Sequence, residues 1–260
     1  MAPPEVPTEP EEELPSAERM EALLRNPPEN PRSCPSETSL WLQGRKLDDV
    51  CAEVFAHALR RGDYKHLTYL TLGHNHFGPR GMSAIAGAIA QDAMPKLEYL
   101  NLGHCPILDE GFVALCAVIG HMPKLRTIEL TETGFGDLGA SALAAAAKGG
   151  NVRSLDSIYM RGCKMADVGM KAFMEALGEP KTNPNAVEGA GFPSLQCLHF
   201  NDNKIGDEGC LALADGIENG HMAKARLFQM GGNVQTRDGF EVVTEVLEEY
   251  ELRRKISVHF

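Results

Sequence analysis

From about residue 37 onward the apolar positions alternate between two spacings. A short stretch in the pattern Leu-x-x-Leu-x-Leu-x-x-Asn comes first. It runs Leu67, Leu70, Leu72, Asn75, then Leu97, Leu100, Leu102, Cys105, then Leu125, Ile128, Leu130, Thr133. It continues as Leu155, Ile158, Met160, Cys163, then Leu195, Leu198, Phe200, Asn203, then Ala225, Phe228, Met230, Asn233. The starts lie 30, 28, 30, 40 and 30 residues apart. A weaker unit with Leu40, Leu42, Arg45 and Leu47 precedes them, and Val258 and Phe260 open a final half-unit. A stretch at helical spacing follows each. It begins with an apolar residue (Leu47, Phe77, Ile107, Phe135, Met165, Ile205) and continues through Asp49, Asp109, Asp137, Asp167 and Asp207. Then come Gly81, Gly111, Gly139, Gly169, Gly209 and Gly239, and small-large apolar pairs such as Ala84-Ile85 and Ala142-Leu143. The pattern predicts one strand and one helix per unit.

Each recurring residue has a physical reason. The leucines point inward from a short strand, and the Asn side chain bonds the turn that leaves it, forming a ladder from unit to unit. Cys and Thr are smaller donors for the same slot. The Asp is expected to cap the N-terminus of its own helix. The Gly is expected where the helix start approaches the strand layer. The helix lays its apolar face on the strands. This α/β pattern resembles the ribonuclease-inhibitor-like subfamily of leucine-rich repeats over residues 37–260. The resemblance implies a solenoid, a horseshoe of about seven strand–helix repeats plus a terminal strand, with parallel strands on the concave face and helices outside. The 40-residue spacing, the weak first unit and the N-terminal segment depart from it.

Residues 1–36 read as an acidic, Pro-rich tail, with nine prolines and eight acidic residues against three arginines. Ser16 to Arg25 interrupts it, with Met20, Leu23 and Leu24 at amphipathic helical spacing. Two readings stay open: a solvated tail with a fleeting helical turn, or a docking arm that folds on a partner or on the repeat body. The insertion at 178–193 is rich in turn formers and reads as a loop.

The chain has 260 residues and a net charge of −11, which disfavours nucleic acid as main ligand. No apolar run is long enough for membrane insertion, and the N-terminus carries no secretory or presequence pattern. Seven cysteines, without a CxxC pair, read as reduced thiols. An intracellular, chiefly cytoplasmic location is expected, and a processed organellar form stays open.

Non-leucine strand positions face the concave surface in two columns. One reads Trp41, Thr71, Asn101, Glu129, Tyr159, His199, Gln229, His259, and the other Ser39, Tyr69, Tyr99, Thr127, Ser157, Cys197, Leu227, Ser257. Tyrosine on a strand is also explained by β-propensity. Yet the one tryptophan and three of the five tyrosines fall here, and aromatics anchor protein interfaces. The expected partner-binding residues are therefore Trp41, Tyr69, Tyr99, Glu129, Tyr159, His199 and Gln229. Glu98, Glu129, Glu132, Asp156 and Asp202, offset by Arg126, Arg161 and Arg226, suit a partner with basic and apolar groups.

No cofactor, metal or catalytic set is expected. His74 and His104 share a slot in adjacent units but read as polar turn positions. Cys197 and His199 share a face without the geometry of a nucleophile and its base. Glu129, Glu132 and Asp156 read as a solvated patch. Ile256 to Phe260 reads as an open edge strand that an assembly would cover. The sequence thus points to a non-catalytic protein-interaction scaffold or complex subunit. The alternative is a regulator of a partner enzyme, since relatives of this repeat type include ribonuclease inhibitors and activators of small GTPases.

Overall fold

In the computed structural model, residues 14–28, 38–177, 191–219, 224, 226–254 and 257–259 are described, with the backbone alone at 247, 250–254 and 257–259. The leucine-patterned stretches form three-residue strands: β1 Ser39–Trp41, β2 Tyr69–Thr71, β3 Tyr99–Asn101, β4 Thr127–Glu129, β5 Ser157–Tyr159, β6 Cys197–His199, β7 Leu227–Gln229 and β8 Ser257–His259. In each strand whose side chains are described the middle residue is buried, and both flanking residues are half-exposed except in β2, where Thr71 is buried. The eight strands form one parallel sheet in sequence order. Register runs unit to unit, Tyr69 facing Tyr99 and Glu129 facing Tyr159.

The helices are α1 Ser16–Arg25, α2 Asp49–Arg61, α3 Pro79–Ile89, α4 Leu108–Val118, α5 Asp137–Lys148, α6 Asp167–Leu177, α7 Asp207–Glu218 and α8 Arg237–Arg254. Each packs chiefly on its sequence neighbours. Neighbouring strands sit about 4.8 Å apart, whereas packed helices need about 8–10 Å, so the strand layer takes the inner side of the curve. This is a leucine-rich-repeat solenoid. The core between the layers carries Phe55, Phe77, Phe112, Phe135, Phe173, Phe200 and Phe228, all fully buried. Phe112 stacks on Phe135 at 4.2 Å, and Phe173 and Phe200 meet edge to face at 5.4 Å.

The ladder works between units. Asn75 Oδ1 accepts from the Arg45 and Leu47 N–H groups, each at 3.0 Å, and its amide donates back to the Leu42 and Leu72 carbonyls. Asn203 does the same for Cys163 and Met165. Cys105 and Cys163 each keep one such bond, donating Sγ–H to the carbonyls of Leu72 and Leu130.

The Asp positions differ from expectation. Asp49, Asp137, Asp167 and Asp207 open their helices but bond the helix of the next unit. Asp49 Oδ1 accepts from Gly78 N–H at 2.7 Å and Gly81 N–H at 2.8 Å. Asp137 accepts from Ala166 and Gly169 at 2.7 and 2.8 Å, and Asp167 from Gly206 and Gly209 at 2.6 and 2.9 Å. The carboxylate does an N-cap's work from the neighbouring helix. Where Pro79 replaces the Asp, the next helix, α4, starts without a side-chain cap and Leu108 is held at φ 53°.

The recurring glycine follows from the same contact rather than from the strand layer. A Cβ on Gly169 would lie 2.7 Å from Asp137 Oδ1, 2.7 Å from Met165 Cγ and 3.0 Å from Ala140 Cβ. On Gly139 it would meet Phe135 and Phe112 at 2.8 and 2.9 Å.

Helix α1 lies against α2. Met20 is fully buried in the core cluster, with Leu23 and Leu24 partly buried against it. Ser16 Oγ donates to the Asp48 carboxylate, Arg19 lies 3.8 Å from the same group, and Cys51 Sγ–H donates to the Ser16 carbonyl at 3.0 Å. Asp48 also caps α2 through Cys51 N–H at 3.0 Å. The rest of the tail, 1–13 and 29–36, lies outside the described residues, as do 178–190 of the insertion. The strand register is unbroken across that insertion, Ser157 facing Cys197. Gly191 N–H donates to the Ala147 carbonyl, and Phe192 packs on Phe173 at 4.9 Å.

Candidate protein-binding face

Three-residue strands place two side chains each on the inner face, so the two columns stand side by side across the sheet. In the first three units three of their six positions are aromatic. Trp41 stacks on Tyr69 with centroids 4.9 Å apart, and Tyr69 stacks on Tyr99 at 4.1 Å with planes 3° apart. These spacings follow from the strand separation, which holds flat rings at van der Waals contact. The rings are half-buried by one another, and Thr71 beneath them is 1% exposed. Trp41 Nε1 and Thr71 Oγ1 are buried without a hydrogen-bond partner among the described residues.

The stack stops at Tyr99. Its register partner on β4 is Thr127, and the next in that column is Ser157, both half-exposed and short. Beside them in the other column are Glu129 and Tyr159, which face each other across β4 and β5. Glu129 Oε1 accepts from Thr131 N–H at 2.7 Å, which fixes its carboxylate over the strand end. Tyr159 meets His199 edge to face at 4.6 Å, and its hydroxyl lies 3.9 Å from Cys197 Sγ. Gln229 is half-exposed on β7. The sheet therefore gathers Trp41, Tyr69 and Tyr99 into one stack and Glu129, Tyr159 and His199 into a second group, with Gln229 beyond. Thr127 and Ser157 were not singled out by sequence reading. The signal was the fall from Tyr to Thr along one column.

The titration of the face follows its geometry. Burial, then the adjacent Tyr69 and Glu129, hold the Tyr99 phenol well above its usual range. Burial, then Cys197, Glu129 and Asp156, push Tyr159 up to about 12. Burial also raises the Cys197 thiol, which leaves it a poor nucleophile. Asp156 pairs with Arg126 at 3.0 Å and accepts from Ser157 Oγ at 2.9 Å, and Arg161 pairs with Asp202 at 2.6 Å. These pairs tie up part of the acidic charge. His74 and His104 occupy the predicted turn slots, both left-handed (φ 55° and 58°), with rings stacked at 4.1 Å and His104 Nδ1 3.2 Å from Glu132. Among the described residues no group of three or more His, Cys, Asp or Glu is placed to hold a metal, and no helix is long and apolar enough to cross a membrane. The outer edge of β8 carries no described side chains.

The family model described as "Leucine Rich repeat" matches residues 65–86, 93–116, 121–144 and 193–214. Ribonuclease inhibitor of Sus scrofa is 25% identical over 178 residues, 68% of this chain and 36% of its own length. Tonsoku-like protein of Bos taurus is 36% identical over 99 residues, 37% of this chain and 7% of its own. NACHT, LRR and PYD domains-containing protein 13 of Homo sapiens is 31% identical over 152 residues, 57% of this chain and 13% of its own. The chain thus spans 36% or less of the length of these three relatives. These matches support a leucine-rich-repeat protein similar to the ribonuclease-inhibitor-like kind. Such proteins generally bind other proteins and are generally not catalysts.

Proposed function

We propose that this chain is a non-catalytic protein-binding scaffold or fixed subunit of a larger assembly. It holds a partner protein on the strand face through Trp41, Tyr69, Tyr99, Glu129, Tyr159, His199 and Gln229. One observation carries this reading: the single tryptophan and two tyrosines stand stacked on the inner face, where they bury no core. Rings locked by their neighbours lose little entropy on binding and contribute large apolar area. Trp41 Nε1 and Thr71 Oγ1, buried and unpartnered, add polar groups that a partner's backbone would satisfy after a small rotation of the indole. The negative net charge favours a protein partner with basic groups over nucleic acid. Free, buried thiols fit a reducing, cytoplasmic setting.

The test is size exclusion of the native protein from its source cells, with mass spectrometry of co-eluting chains, repeated with Trp41→Ala/Tyr69→Ala. Elution in a larger particle with fixed partners, lost in the double variant while its melting curve holds, is the expected result. Elution alone at its own 28.2 kDa mass would overturn the subunit reading. It would favour a transient regulator, a reading that rests on the similarity to ribonuclease inhibitor over 68% of this chain.

A further inference from the structure

The end of the aromatic stack defines a subsite. Trp41, Tyr69 and Tyr99 repeat at 4.9 and 4.1 Å, so a further planar group would lie over β4. The residue there is Thr127, followed by Ser157, and neither reaches the level of a ring. Tyr69 stacks on one face of Tyr99, and on the side away from Tyr69 the column continues with these two short side chains. The notch has a side wall. Glu129 lies two residues along β4 on the same face, and Tyr159 stands opposite it. Only one oxygen of Glu129 is engaged by its own backbone turn, through Thr131 N–H.

We infer that this notch takes an arginine side chain of the partner protein, its guanidinium stacking on the free face of Tyr99 over Thr127 and Ser157 and pairing with Glu129. The inference deepens the protein-binding reading and rests on it. Three features select the occupant. A flat slot at stacking distance suits a planar group. A carboxylate at its side suits a cation with in-plane N–H donors. Among side chains charged at neutral pH only guanidinium is both; an imidazolium needs a lower pH, and a lysine ammonium offers charge without a plane. The aromatic walls add a cation–π contribution from Tyr99. The Glu129 charge contributes to raising both tyrosines.

The experiment is an NMR titration of the full chain with three capped amino acids: N-acetyl-arginine methylamide, its neutral planar analogue N-acetyl-citrulline methylamide, and N-acetyl-lysine methylamide. The reporters are the Thr127 methyl and the Tyr99 and Tyr159 rings. Saturable shifts at these three are expected with the arginine probe, and about tenfold weaker binding with citrulline or lysine. Glu129→Gln keeps an acceptor for Thr131 N–H and is expected to weaken the arginine probe about tenfold. Thr127→Leu fills the slot and is expected to abolish saturation with the circular dichroism spectrum unchanged. Equal binding of citrulline, or arginine shifts that ignore both substitutions, would overturn the subsite. Loss of the subsite with co-elution still dependent on Trp41 and Tyr69 would leave the protein-binding reading standing. Probe binding without any co-eluting partner would sink that broader reading instead.

Discussion

At the scale of single residues, the recurring aspartates are the most economical device in the chain. Asp137 accepts two N–H groups of the α6 start and so ties two units through one carboxylate. Asp137→Ala leaves those donors without their acceptor and should cost about 1–2 kcal/mol, read as a lowered urea midpoint. Asp137→Asn keeps an acceptor oxygen and should recover much of that loss. Equal losses for the two variants would show that charge, not capping, matters. Tyr159 gives a second prediction. Burial, then Cys197 and the nearby carboxylates, move it from 10.0 up to about 12. The unfolded chain therefore releases this proton first, and the folded state binds it more tightly. Its contribution to stability is whole below pH 10 and falls as pH rises from 10 towards 12. Tyr159→Phe should flatten that part of the alkaline stability curve and remove one late-rising component of the tyrosinate absorbance. An unchanged slope above pH 10 would contradict the placement.

At the scale of elements, α1 and α2 show how an end of the stack is closed. A terminal unit lacks a neighbour on one side, so its core needs a lid. Here the lid is a ten-residue helix with one fully buried side chain, Met20, and a polar seam of Ser16, Arg19 and Asp48. Truncating a buried methionine costs about 2–5 kcal/mol where the structure cannot escape. This helix can escape, because it is a separate short element flanked by prolines rather than part of a repeat. Met20→Ala should therefore release α1 rather than unfold the repeats. Amide exchange within Ser16–Arg25 should accelerate strongly while β3 to β6 keep their protection. Uniform acceleration through all strands would refute a detachable lid. The insertion is the opposite case: ten extra residues leave between α6 and β6, and the sheet register does not notice them.

At the scale of the molecule, the array is held by contacts between neighbours, α2 with α3, α3 with α4 and onward to α8. Stability is then a sum of unit and interface contributions, and a weak interface can part before the rest. Phe228 sits near one end, fully buried and 5.6 Å from Phe200; Trp41 reports from the other end. Phe228→Ala removes about 3–5 kcal/mol from the C-terminal units. Helical circular dichroism should begin to fall in denaturant before Trp41 emission moves. Phe55→Ala, beside the first unit, should reverse that order. Coincident transitions in both variants would mean that the array unfolds as one block.

The repeating apolar pattern by itself determined the solenoid, the alternation of strand and helix within the repeats, the side of each strand that is buried and the residues sharing the inner face. Each follows from local spacing, which a sequence displays directly. Tertiary structure decided which unit each polar residue serves. Asp49 and Asp137 look like caps of their own helices and bond the next ones; Gly139 and Gly169 look like strand contacts and are kept bare by the preceding helix together with their own turn. It also decided that Ser16–Arg25 closes the first unit and that the stack ends in a notch at Thr127. The physical reason is translation. In a periodic chain a contact within a unit and a contact to the next unit differ by one period, so spacing alone cannot separate them, and only the packed stack does.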